Sequence, residues 1–74
     1  MTKEMHIGKT IRQRLRQQGR TVIWFAEQLN CNRSNAYKIF GKANIDVELL
    51  KRISLILGYN FFRYLSDDID GELG

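Results

Sequence analysis

The side chains best placed to do chemistry in this sequence stand in Arg33–Phe40, RSNAYKIF. At the α-helical repeat of about 100° per residue, Ala36, Ile39 and Phe40 fall on one face. Ser34, Tyr37 and Lys38 fall on the opposite one, bordered by Arg33 and Asn35. All of these outer residues can hydrogen-bond, and none is acidic. An ordinary solvated helix face of this length carries an Asp or Glu. Its absence suits an element that lies against phosphates and base edges.

Enzyme chemistry needs a constellation of groups, and the sequence offers none. His6 is the sole histidine and is expected to face solvent. Cys31 is the sole cysteine, has no neighbouring His, and reads as a packed, inert thiol. Asp67, Asp68 and Asp70 lack the twelve-residue loop ending in Glu that a calcium site of this spacing requires. The six glycines are scattered as helix terminators rather than gathered into a phosphate loop. The expectation is a protein that is not an enzyme, with no metal and no cofactor.

Seventy-four residues make a single domain near the lower limit for a core that stands alone. One cysteine excludes an internal disulfide, so packing must hold the fold, and the absence of proline favours helices joined by tight turns. No apolar run approaches the length of about 20 residues that spans a bilayer, and Met1–Thr10 lacks the apolar stretch of a signal peptide. A cytoplasmic, nucleoid-associated protein is expected, with no membrane partner. Twelve Lys and Arg oppose eight acids, but four of the acids are Asp67, Asp68, Asp70 and Glu72. Met1–Ser66 therefore carries 12 − 4 = +8, which suggests a polyanionic partner or simply serves solubility.

The elements that must position the outer face are legible in order. After a loose start at Met1–Met5, helix 1 is expected over His6–Gln18, burying Ile7, Ile11 and Leu15 and ending at Gly19. Its Lys9, Arg12, Arg14 and Arg16 either face phosphates or are merely solvated, and solvation is favoured for Arg12 and Arg16. Thr21 caps helix 2, whose Val22, Phe25, Ala26 and Leu29 form the apolar stripe. Trp24 lies off that stripe, either as a partner anchor or, as slightly favoured, folded over the flank of helix 1. Asn30 stands where the turn between helices 2 and 3 needs a left-handed residue.

Asn32 caps helix 3, Gly41 ends it, and Lys42–Ile45 form a loop. Asp46 caps helix 4, Val47–Leu57, with Leu49, Leu50, Ile53, Ile56 and Leu57 as a wide stripe stopped by Gly58. Asn60 caps a last short helix, Phe61 to about Ser66. The ordered core is expected over 6–66, with 67–74 a flexible acidic tail. Leu55, Phe61, Phe62 and Tyr64 are in surplus over one packing face. With Trp24 they mark a candidate dimer or partner surface, or else a terminal helix that only closes the core.

With these residues in place the chain resembles the lambda-repressor/Cro-like helix-turn-helix domains, also called the XRE type. The family's signature has an apolar residue fourth, Ala fifth, Gly ninth, and apolar residues at ten, fifteen and eighteen. Counted from Val22, these places hold Phe25, Ala26, Asn30, Cys31, Ala36 and Ile39. The flanking helices extend the likeness over Ile7–Leu65. Three departures are present. Val22 replaces a common Gln that contacts phosphate, Asn30 replaces Gly, and Leu15 with Phe40 stands where some members pair an Arg with a Glu. An apolar pair can replace a buried ion pair without net loss of stability.

The resemblance implies an all-α, five-helix domain that binds double-stranded DNA as a small transcriptional regulator. It would act as a homodimer, with helix 3 in the major groove. Arg33, Ser34, Tyr37 and Lys38 would read base edges, Arg33 as the fork that bonds guanine O6 and N7. Thr21, Asn35, Lys42 and Asn44 would hold the DNA backbone. The alternative is a protein-interaction module, such as the DNA-binding antitoxin of a toxin–antitoxin pair, suggested by Trp24, the aromatic surplus and the acidic tail.

Overall fold

Each helix of this chain begins on a side chain that accepts a backbone N–H, because the first turn of a helix has donors without partners. In the computed structural model, which describes residues 6–74, five helices follow one another: α1 (Ile7–Gln17), α2 (Val22–Gln28), α3 (Arg33–Phe40), α4 (Val47–Leu57) and α5 (Phe61–Leu73). The expected loose start, 1–5, lies outside the described residues. No strand occurs among the described residues. Thr21, Asn32, Asp46 and Asn60 cap α2 to α5, as expected from their types. His6 caps α1 through Nδ1, which accepts from the N–H of Lys9 at 3.2 Å.

Three helices stop in the same way. Gly19, Asn30 and Gly58 take the left-handed conformation, with φ of 68°, 57° and 63°. In each case the next N–H reaches back to a carbonyl in the last turn: Arg20 to Leu15, Cys31 to Ala26, and Tyr59 to Ser54. These bonds satisfy carbonyls that the helix leaves open. Asn30 thus fixes the short turn between α2 and α3, where Ala26 is small and buried. Gly41 ends α3 differently, at φ −85°, a conformation open to any residue.

The core is wholly apolar among the described residues. Ile7, Ile11 and Leu15 of α1 meet Phe25, Ala26 and Leu29, Ala36, Ile39 and Phe40, and Leu50, Ile53 and Leu57. Phe25 and Phe40 stack at 5.5 Å between α2 and α3. Leu15 and Phe40 are both buried, so no charge is enclosed at the two places where the resemblance admits an ion pair. Two side-chain bonds tie the ends together: Gln18 donates to the Leu57 carbonyl at 2.6 Å, and Arg52 to the Leu29 carbonyl at 3.4 Å.

Three expectations are corrected here. Phe61 is fully buried, so it belongs to the core and not to a partner surface. It is the first residue of α5, and the cap at Asn60 turns its ring inward against Tyr59, edge to face at 4.9 Å. The last helix does not end near Ser66 but runs on to Leu73. Ile69 and Leu73 continue the spacing of Leu65, and Arg63 and Asp67 are an opposite-charge i,i+4 pair, both of which support helix. Gly8 is no terminator. It is buried inside α1, and a Cβ there would sit 2.5 Å from the carbonyl oxygens of Ile39 and Phe40 and 2.6 Å from that of Lys42.

That close approach lets the N–H groups of Ile7 and Gly8 donate to the carbonyls of Ala43 and Lys42, at 3.3 and 2.9 Å. All three obstructing atoms are backbone, so no side chain can swing aside. Gly8→Ala is expected to destabilise the fold by about 1–3 kcal/mol or more, as overpacking does. Gly41→Ala, whose Cβ meets nothing closer than 3.6 Å, should be neutral or stabilising by about 0.4–1 kcal/mol. Urea unfolding of the two variants checks the contrast.

Candidate nucleic-acid interface

The inner residues of α3, Ala36, Ile39 and Phe40, are buried, and this orients the helix. The outer residues Arg33, Ser34, Asn35, Tyr37 and Lys38 are all exposed, as are Lys42 and Asn44 in the following loop. The seven therefore form one continuous solvent-facing ridge and loop. Asn32 spends its side chain on the cap, accepting from the N–H of Asn35 at 2.9 Å. The cap uses only the backbone of Asn35, and its side chain is exposed. Thr21 is likewise exposed at the start of α2, where its hydroxyl accepts from the N–H of Trp24 at 3.0 Å. That bond uses one of the two lone pairs of the hydroxyl and leaves its O–H, the group a phosphate oxygen would accept from, to a ligand.

Two further cations stand beside the ridge: Arg12, which the sequence alone reads as solvated, and Arg52. Arg12 of α1 leans across to α3. Its guanidinium carbon lies 6.0 Å from the Tyr37 ring centre and 5.8 Å from that of Phe40. Arg12 also shares a surface hollow with Lys9 and Arg16. On the other side of α3, Arg52 of α4 joins Lys38, Lys42 and Asn35 around a hollow of about 300 Å³. The ridge of α3 thus runs between two basic flanks. The nearness of Arg52 to Lys38 arises only in the fold, which brings side chains of α3 and α4 to the rim of one hollow.

The loop that carries Lys42 and Asn44 is held by backbone, through the bonds from Ile7 and Gly8. His6 Nδ1 is engaged as a cap, and Cys31 is half-buried in the turn. Among the described residues no group of three or more His, Cys, Asp or Glu could hold a metal ion. No helix among them is long and apolar enough to cross a membrane.

Family models, curated proteins and solved structures give no match to this chain.

The remaining candidates divide. Trp24 is half-buried against the core, and the Arg20 guanidinium covers its ring at 4.5 Å. Phe62 and Tyr64 are half-buried, whereas Leu55 is 75 % exposed. Both flanks are tested by retention on an immobilised polyanion in rising salt. Arg12→Ala and Arg52→Ala should elute earlier than the parent chain by more than Lys51→Ala does, since Lys51 lines a separate groove between α4 and α5.

Proposed function

We propose that this chain is a lambda-repressor/Cro-like helix-turn-helix domain that binds double-stranded DNA sequence-specifically, as a small transcriptional regulator. The observation that carries the reading is the exposed, acid-free outer face of α3 set between two basic flanks. A helix of this width fits the major groove, where each base pair shows a distinct pattern of donors and acceptors. Arg33, Ser34, Tyr37 and Lys38 read bases there. Asn35, Lys42, Asn44 and Thr21 hold the backbone, with Arg12 and Arg52 adding charge on either side. Val22 cannot supply the amide clamp that a Gln gives at its place, so the flanks carry more of the affinity. Two copies on adjacent major-groove turns would read the halves of a pseudo-palindrome.

Binding titrations on duplex DNA across a salt series test this. Arg33→Ala is expected to cost about 1–3 kcal/mol at one base position and to relax discrimination there. Lys42→Ala should weaken all sequences alike and reduce the salt slope by about one. Identical behaviour of the two variants would remove the division between reading and positioning. Absence of any salt-sensitive binding would remove the function.

A second reading, a protein-interaction module of the antitoxin kind, is favoured by one observation: Leu55, Ile69 and Leu73 are exposed apolar side chains away from α3. The two readings are compatible, because they use different faces.

A further inference from the structure

The hollow where Arg52 of α4 meets Lys38 and Lys42 combines two features that other hollows of the surface hold singly. Its rim carries these three exposed cations and Asn35, with no Asp or Glu among the lining residues. Its floor is apolar: Leu29 and Ile39 are buried, and Leu49 is half-buried. By contrast, the hollow on α1 has Lys9, Arg12 and Arg16 but no apolar lining. The groove between α4 and α5 has Leu55 and Phe62 but a single cation, Lys51.

Sequence and packing together build the combination. Asn35, Lys38, Ile39 and Lys42 recur at i, i+3, i+4 and i+7, so they share one side of α3 and the turn after it. Leu49 and Arg52, at i and i+3, share one side of α4 in the same way. Two of the cations are steadied. Arg52 donates to the Leu29 carbonyl at 3.4 Å, which engages one of the five donors of its guanidinium. The Lys42 carbonyl accepts from the N–H of Gly8 at 2.9 Å, which fixes the backbone from which the ammonium extends. Three like charges around one hollow repel each other, and an anion seated among them removes that repulsion.

We propose that this hollow binds a small amphiphilic anion, a carboxylate or phosphate monoester carried on a short apolar body. The head lies among Arg52, Lys38 and Lys42, whose donors suit its oxygens. The body covers Leu29, Ile39 and Leu49. At about 300 Å³ the hollow has the size at which small-molecule sites begin, and such sites are mostly apolar with a few polar groups that fix orientation. A phosphate of a DNA backbone supplies the charge alone and leaves the floor uncovered. The inference deepens the functional reading by naming an effector class. Such a ligand takes cations that the duplex would use, and so competes with DNA.

Isothermal titration calorimetry of the full chain without DNA tests the site, with octanoate and octyl phosphate as probes. Saturable binding of either, one per chain, is expected, and the tighter of the two identifies the head. Octanol, which lacks the charge, and inorganic phosphate, which lacks the body, should bind several-fold more weakly. Arg52→Ala and Lys38→Ala should weaken the probes several-fold, whereas Lys51→Ala should not. Cys31 also lines the hollow, so a bound probe should slow its alkylation by neutral iodoacetamide several-fold. In a separate titration, a saturating probe should raise the Kd for duplex DNA several-fold. Absence of saturable binding by both probes overturns the proposal. So does octanol or inorganic phosphate binding as tightly as the probes, the latter marking a plain ion site. Loss of binding in Lys51→Ala but not in Arg52→Ala overturns it too, by placing the probe in the α4–α5 groove. Probe and DNA bound together without mutual cost overturns the competition. Calorimetry and alkylation are read without DNA, so a failure to bind DNA remains distinguishable from a failure of this site.

Discussion

The meeting of two backbones at Gly8 is the contact on which the working surface depends. The first turn of a helix offers N–H groups that its own carbonyls cannot reach, and the end of a helix offers carbonyls in the same state. Here the N–H groups at the start of α1 are answered by the loop that follows α3. Ile7 and Gly8 donate to Ala43 and Lys42 just past the end of α3. Only a residue without a Cβ allows the approach, because three carbonyl oxygens occupy the place where one would stand. The loop bearing Lys42 and Asn44 is thereby held by the core helix α1 through backbone alone. Its long polar side chains are left free to meet a partner.

Division of labour follows from this arrangement. No polar or charged side chain is buried among the described residues, so the interior carries no chemistry and only sets positions. Phe25 stacked on Phe40 fixes α3 against α2, and the left-handed Asn30 fixes the turn between them. Desolvating a charge is costly, and every cation of the interface escapes that cost by lying at the surface. Arg12 covers apolar ring surface on Tyr37 and Phe40 with its guanidinium. Arg52 keeps one N–H on the Leu29 carbonyl and so is steadied beside Lys38 and Lys42.

Much of the fold was legible in the sequence because its signals are local. Thr21, Asn32, Asp46 and Asn60 announce helix starts by type, and α3 and α4 begin and end where periodicity puts them. The inner and outer faces of α3 follow from the same period. What escaped depends on distant partners. Gly8 reads as one more scattered helix terminator until the carbonyls of Ile39, Phe40 and Lys42 are brought to it. Arg12 and Arg52 are plain charges until α1 and α4 pack on either side of α3. Phe61 looked superfluous because composition cannot tell which of two adjacent aromatics a cap turns inward. The extension of α5 was hidden by its acids and Gly71, which outweighed the apolar spacing of Leu65, Ile69 and Leu73.

The same chain thus presents two unlike surfaces, a basic polar ridge on α3 and an apolar, acid-flanked stripe on α5. Selection of bound sequences from random duplex DNA tests the central claim, that α3 reads bases, most directly. The account predicts enrichment of a defined half-site, with one position losing its preference in Arg33→Ala. Recovery of a pool no different from the starting library, or a preference untouched by any substitution on the outer face of α3, would contradict it.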